Sequence, residues 1–185
     1  MDTLECIKTR RSIRNFSDQP IHDNVLEELL EAVRWAPSWA NTQCWELIVV
    51  KDPETKKQLA GLLAENNPAT RAMTQAPVVI VTCARLGTSG FKKGQMLTDK
   101  GDWYMFDMGI AAQNLCLAAH NRGLGTVHVG SFNHAAVGQL LNVPEGVAVV
   151  ELIPLGYPAK VGNAPPRKEI KDFVFSESYG NTINL

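Results

Sequence analysis

From Trp103 to Asn121 the chain reads as one long helix, rich in alanine and apolar around most of its circumference. Such a helix has no face to give to water and must be covered by other elements. Its apolar run, Met105 to Ala119, is broken by Asp107, Gln113 and Asn114, so it is too polar to span a membrane. Gly123 follows at a C-cap position. A second segment makes the same demand. Pro77 to Cys83 is a near-continuous β-branched run, the pattern of a central strand buried on both faces. A buried helix and a doubly buried strand imply a layered structure. At 185 residues the chain is long enough to build that structure as one domain, 1–185.

The remaining elements follow from caps and periodicity. Asp2 and Glu5 have capping-box spacing and predict a short helix over Thr3 to Thr9. Arg10 to Phe16 reads as extended or loop, closed by Pro20. The stripe Val25, Leu26, Leu29, Leu30, Val33 predicts a helix over Asp23 to Ala36 that Pro37 stops. Strands are expected at Glu46 to Lys51, Gly125 to Gly130 and Val147 to Leu155. Helices are expected from Pro53 to about Glu65 and, capped by Asn133, to about Leu141. Leu86 to Lys100 reads as a mobile loop. Ala159 to Leu185 reads as a tail, either disordered or docked on something. Four strands interleaved with five helices make an α/β or α+β layer structure, and the opening order helix, helix, strand is not that of a Rossmann fold.

Charge narrows the function. Eighteen Lys and Arg against nineteen Asp and Glu leave a net charge of −1, so no global positive field collects nucleic acid or anionic lipid. The N-terminus has no apolar stretch after its charges and is not a secretory signal. Cys6, Cys44, Cys83 and Cys116 are scattered, without a C-x-x-C pair; they read as small core residues in a reducing cytoplasm. Cys116 and His120 lie four apart on one helix face, but no third ligand is evident and no metal site is expected.

Against that neutral background Arg10, Arg11 and Arg14 stand out, with Ser12 between them. They are either a solvated basic patch or an anion site; guanidiniums beside a hydroxyl suit a phosphate ester. The loop after Pro37 supplies Ser38, Asn41 and Gln43 together with Trp39 and Trp45. It reads either as core anchoring, which is expected of Trp35, or as edge and face for a planar heterocycle. Gly123-Leu124-Gly125 precedes a strand and is not the dinucleotide fingerprint; a tight turn is expected there. Gly130, at a strand end, would let a ligand approach the backbone. His128 is expected to be a satisfied core histidine. Arg167 and Lys168, in the tail, would reach the same anion as Arg10 if the tail docks.

In Arg10-Arg-Ser-Ile-Arg-Asn-Phe16 and Ala36-Pro-Ser-Trp-Ala-Asn-Thr-Gln-Cys-Trp45 the chain resembles the two opening signatures of the FMN-dependent nitroreductase family. Arg122-Gly-Leu-Gly-Thr126, Leu155-Gly-Tyr-Pro158 and the late Pro-Arg resemble its later landmarks, in the family's order. One departure is Cys44, where the family usually has proline. The resemblance implies an α+β fold, a central mixed or antiparallel sheet flanked by helices. It implies an intertwined homodimer in which the tail, about 159–185, reaches across the partner, with two FMN sites at the interface. Arg10, Arg11, Ser12 and Arg167 would hold the FMN phosphate and ribityl chain. Arg14 would face the flavin N1/C2 edge and stabilise the anionic reduced ring. Pro37, Ser38, Trp39, Asn41 and Gln43 would come from the other subunit, and Arg71 would lie near the ring. Val129 and Gly130 would face it, with the Gly130 N–H toward N5. The implied enzyme is a cytoplasmic FMN-dependent NAD(P)H oxidoreductase. NADH or NADPH stacks on the flavin and donates hydride to N5, and a small acceptor such as a nitroaromatic or quinone follows in a ping-pong mechanism. A flavin storage or sensor module without turnover is the alternative; a nucleic-acid-binding protein built on the arginines is the third reading.

Overall fold

Strand β2 (Val78–Arg85) organises the molecule, buried along its length except at Arg85. A computed structural model describes residues 1–183. In it β2 pairs antiparallel with β1 (Trp45–Val50) on one side and with β6 (Val147–Gly156) on the other. The two-residue β5 (Gly125–Thr126) completes the sheet, in the order β1-β2-β6-β5. A parallel bridge from Ser12 to Thr126 makes its edge mixed.

Alternation along β2 builds two cores. Val79, Val81 and Cys83 face one layer, with Leu59 and Ala60 of α3 (Pro53–Gly61), Ala72 and Met73 of α4 (Thr70–Gln75), and Val137 of α6 (His134–Leu140). Val78 and Ile80 face the other. There Leu26, Leu29 and Val33 of α2 (Asp23–Arg34) meet Ala111, Ala112, Leu115, Cys116 and Ala119 of α5 (Tyr104–Asn121). The small residues of α5 let it lie close to the sheet, and the Asn114 Nδ2 donates to Ala32 O at 3.1 Å, tying α5 to α2. The helix α1 (Thr3–Thr9) is capped by Asp2, which accepts from the backbone of Leu4 and Glu5.

The structure corrects several expectations. The helix from Pro53 ends at Gly61, and α4 was not foreseen. After Gly61 the backbone leaves the helix for long-range partners: Asn133 N donates to Leu62 O, and Ala64 N donates to Ser131 O. The expected loop 86–100 contains a hairpin, β3 (Phe91–Lys92) and β4 (Gln95–Met96). The strand expected over Gly125 to Gly130 keeps two ladder residues, then a single bridge from Val129 to Leu152. Trp35 is no core anchor. It caps α2 at 73% exposure, its indole N–H donating to Glu31 and the Arg34 guanidinium lying over its ring. All four cysteines are free and buried. The tail up to residue 183 is largely exposed, with a helical turn at Ile170–Asp172 and an antiparallel bridge from Phe175 to Thr182; its last two residues lie outside the described residues.

Candidate functional site

Arg10 is the C-cap of α1, and beyond it the chain runs extended along the sheet edge. Ile13 N donates to Thr126 O at 2.9 Å, and Phe16 bridges Pro158. Ser17 N donates to Tyr157 O, and Ala159 N donates to Asn15 O. Ile13 and Phe16 point into the core, so Ser12 and Arg14 are left at the surface. The chain leaving β6 then returns over the same stretch. Arg10, Arg11, Ser12, Arg14, Gly162, Asn163, Pro165 and Arg167 line a cleft of 330 Å³.

Among the described residues, four guanidiniums and no carboxylate therefore share one small space. The Arg11 Nη1 is satisfied by the carbonyls of Lys8 and Arg10, at 2.8 and 2.7 Å. The Arg10 Nη1 is buried and has no partner among the described residues. A buried charged donor without an acceptor is costly. Four like charges around one small space also repel, and an anion in the cleft would offset that repulsion. Behind the cleft, His120 Nε2 lies 2.8 Å from Thr9 Oγ1, whose hydroxyl already donates to Glu5 O. The ring nitrogen is thus the donor. Burial first, then Arg10 and Arg11, hold the imidazole below its ordinary pKa, so at neutral pH the positive charge here belongs to the arginines. Gly162 and Asn163 were not foreseen as lining residues; the only signal in the sequence was a Gly-Asn pair between Lys160 and Arg167.

The loop after α2 lies outside that cleft within one chain. Its residues Trp39–Asn41 form a tight turn, and Ala40, Asn41 and Gln43 all take positive φ, at 43°, 57° and 49°. Ser38 Oγ accepts from Gln43 N, and Asn41 Oδ1 accepts from Gln43 Nε2, so the polar groups are fixed from within the loop. Trp39 packs against Trp103 with centroids 5.1 Å apart, and Trp103 against Phe106 at 5.3 Å. Sequence reasoning missed what holds this loop. Buried Asp107 in the first turn of α5 accepts from Trp39 N at 3.0 Å and from Ser89 Oγ at 2.6 Å. A lone carboxylate in an otherwise apolar helix was the signal available.

The other expected residues are separate again. Val129 is buried and exchanges both backbone hydrogen bonds with Leu152. Gly130 is exposed; its N–H has no partner among the described residues, and a Cβ there would meet nothing within 4 Å. Arg71 is exposed on α4 and, with the Gln75 amide oriented to satisfy both, donates to that side chain. Lys168 is exposed and does not line the cleft. His128 is not a core histidine. Its side chain is 38% exposed, with Nδ1 2.8 Å from Glu151 Oε2 and Nε2 3.4 Å from Cys116 Sγ. Cys116 first, then Glu151, raise its pKa to about 10 against burial. Cys116 therefore meets His128, not His120.

The Nitroreductase family model matches residues 7–157, from α1 to the end of β6. An FMN reductase [NAD(P)H] of Bacillus subtilis (strain 168) is 31% identical over 200 residues, covering 100% of this chain and 77% of that protein. An NADPH-flavin oxidoreductase of Vibrio harveyi is 31% identical over 186 residues, with the same coverage, 100% and 77%. The crystal structure of a nitroreductase family protein from Clostridium novyi NT superposes with a TM-score of 0.77 at 28% identity, over 98% of this chain and 97% of that one. An FMN-dependent nitroreductase from Clostridium difficile R20291 superposes with a TM-score of 0.80 at 25% identity, over 96% of this chain and 100% of that one.

Proposed function

The chain belongs to the nitroreductase family, and on that premise we propose that it is an FMN-dependent NAD(P)H oxidoreductase whose cofactor phosphate sits in the arginine cleft. The observation that carries this is a single small cleft whose charged lining, among the described residues, is four guanidiniums, Arg10, Arg11, Arg14 and Arg167. Arg10 and Arg167 grip the phosphate, Ser12 supplies a hydroxyl, and Arg11, held by two backbone carbonyls, adds charge. Arg14, exposed one residue beyond buried Ile13 and lining the same cleft, would lend its charge to the flavin ring. Bound there, FMN supplies two-electron transfer between NAD(P)H and a small acceptor such as a nitroaromatic or quinone, the two substrates using one open place in ping-pong order.

The unit of function is a homodimer. Ser38, Trp39, Asn41 and Gln43 do not line the cleft of their own chain, so a second copy brings them to the ring. Large apolar residues exposed in one chain support a partner: Leu4 at 65%, Trp35 at 73% and Phe106 at 58%. The extended tail, with Ile170, Phe173 and Tyr179 uncovered, has the form of a segment that docks on that partner. No helix among the described residues is long and apolar enough to cross a membrane.

The test is the visible spectrum of the purified protein, followed by anaerobic addition of NADH and NADPH in turn. Flavin bands that bleach with either establish the reductive half-reaction. Bands that persist with both leave a flavin-binding module. A colourless protein that takes up no added FMN refutes the reading.

A further inference from the structure

We propose that Asp107 is the positioning residue of the active site, a buried carboxylate that fixes the loop 38–44 in the shape that presents it to the flavin ring. This inference rests on the reading of that loop given above. The geometry is a clamp at three points. Trp39 N–H donates to both oxygens of Asp107, at 3.0 and 3.2 Å. Ser89 Oγ lies 2.6 Å from Asp107 Oδ2, and Thr42 Oγ1 lies 2.7 Å from Ser89 Oγ. Ser89 donates its one hydroxyl proton to Asp107 and therefore accepts from Thr42. The chain of hydrogen bonds thus has one direction, from the loop to Asp107. Cys44 Sγ closes the clamp at 3.8 Å from Asp107 Oδ2. Burial is the largest cause that raises the pKa of this thiol; Ser89 offsets it and Asp107 reinforces it, which keeps the proton on sulfur for donation.

The clamp lies where the backbone needs holding. Ala40, Asn41 and Gln43 are left-handed without being glycine, a conformation that persists only where its surroundings determine it. Asp107, Ser89 and Cys44 are each at most 1% exposed, so water does not compete for the bonds. The carboxylate lies in the first turn of α5, where the helix dipole favours negative charge. Ser89 stands at the mouth of the 86–103 segment, and Trp103 N donates to Ser89 O at 3.0 Å. One buried side chain therefore sets the loop and the neighbouring segment relative to each other. Asp107 touches no reacting atom; it acts through the loop.

The experiment compares the parent with Asp107→Asn and Ser89→Ala, all loaded with FMN. The arginine cleft is untouched, so FMN should still load, its affinity lowered about tenfold or less by the loosened ring contacts. The flavin visible bands and visible circular dichroism should shift, and kcat should fall about tenfold or more with a smaller change in the KM for NAD(P)H. A second readout needs no flavin: hydrogen exchange at the amides of residues 39–43 should speed up about tenfold or more while α2 and β2 amides keep their rates. Both variants showing parental spectra, kcat and loop exchange, with only a lower Tm, would make Asp107 a core residue and overturn the proposal. If the parent itself takes up no FMN, the cofactor reading fails, and the exchange data alone still decide whether Asp107 holds the loop.

Discussion

Adding a single methyl group at Gly125 tests whether the arginine segment is positioned by its docking on β5. The backbone there has no positive φ, so alanine is allowed and any cost is steric. The new Cβ would lie 2.5 Å from Ile13 Cγ1, 2.7 Å from Ile13 Cβ and 3.0 Å from Ile13 Cγ2. Carbon atoms rest at about 3.5–4.0 Å, so roughly 1 Å must open. A rotamer change at Ile13 does not provide it, because Cβ is itself in the overlap and moves only with the backbone. Ile13 is 4% exposed and its N–H is bonded to Thr126 O, so the segment lifts at the expense of that bond. Overpacking of this kind costs about 1–3 kcal/mol. At about 2–4 °C per kcal/mol for a domain of this size, Tm should fall by roughly 2–12 °C. Arg10, Ser12 and Arg14 flank Ile13, so the same displacement moves the anion-binding groups, and FMN affinity should fall about tenfold or more. Gly138→Ala is the control: in α6 its Cβ would have neighbours no nearer than 3.8 Å, and alanine favours a helix by about 1 kcal/mol, so Tm should rise. Thermal melts and fluorescence titration with FMN read both effects. A Gly125→Ala protein that melts and binds like the parent would refute the argument that this contact places the arginines.

Arg10→Ala removes a charged donor worth about 1.5–3 kcal/mol to a bound phosphate, so Kd for FMN should rise roughly 10- to 100-fold. Because the Arg10 Nη1 has no partner among the described residues, the flavin-free Tm should not drop; unchanged Kd would place the phosphate elsewhere. His128 has a folded pKa raised from 6.5 to about 10, so its contribution is complete below pH 6.5 and is lost as pH rises toward 10. With the side chain 38% exposed, screening reduces that contribution to about 1 kcal/mol. The Tm difference between parent and His128→Gln should therefore be about 2–4 °C at pH 6 and vanish above pH 10; a difference constant with pH would exclude the ion pair. Asn133 Oδ1 accepts from Ala136 N at 3.0 Å to cap α6, so Asn133→Ala should cost about 1 kcal/mol in a urea titration, with an unchanged m-value.

What the amino-acid sequence determined by itself was short-range. Asp2, Pro37 and Asn133 mark helix ends through their own backbone chemistry, and α1, α2 and α6 begin or end within three residues of those marks. The β-branched run of β2 and the small, apolar surface of α5 state their own burial, because strand and helix periodicity lie inside one window of residues. The arginines of 10–14 announced a local concentration of charge. Tertiary structure decided whatever depends on who arrives opposite. The helix from Pro53 stops at Gly61 because Ser131 and Asn133 bond the chain that follows. Trp35, expected to be a core anchor, is exposed because it sits past the end of the apolar stripe of α2. Asp107 looked like an interruption of an apolar helix until residues 39 and 89 were brought to its oxygens. The arginine cluster became a cleft only when β6 returned the chain so that Arg167 joined Arg10. Caps and periodicities are encoded within a few residues, whereas a cleft is made by contacts across more than a hundred, and no local preference specifies those.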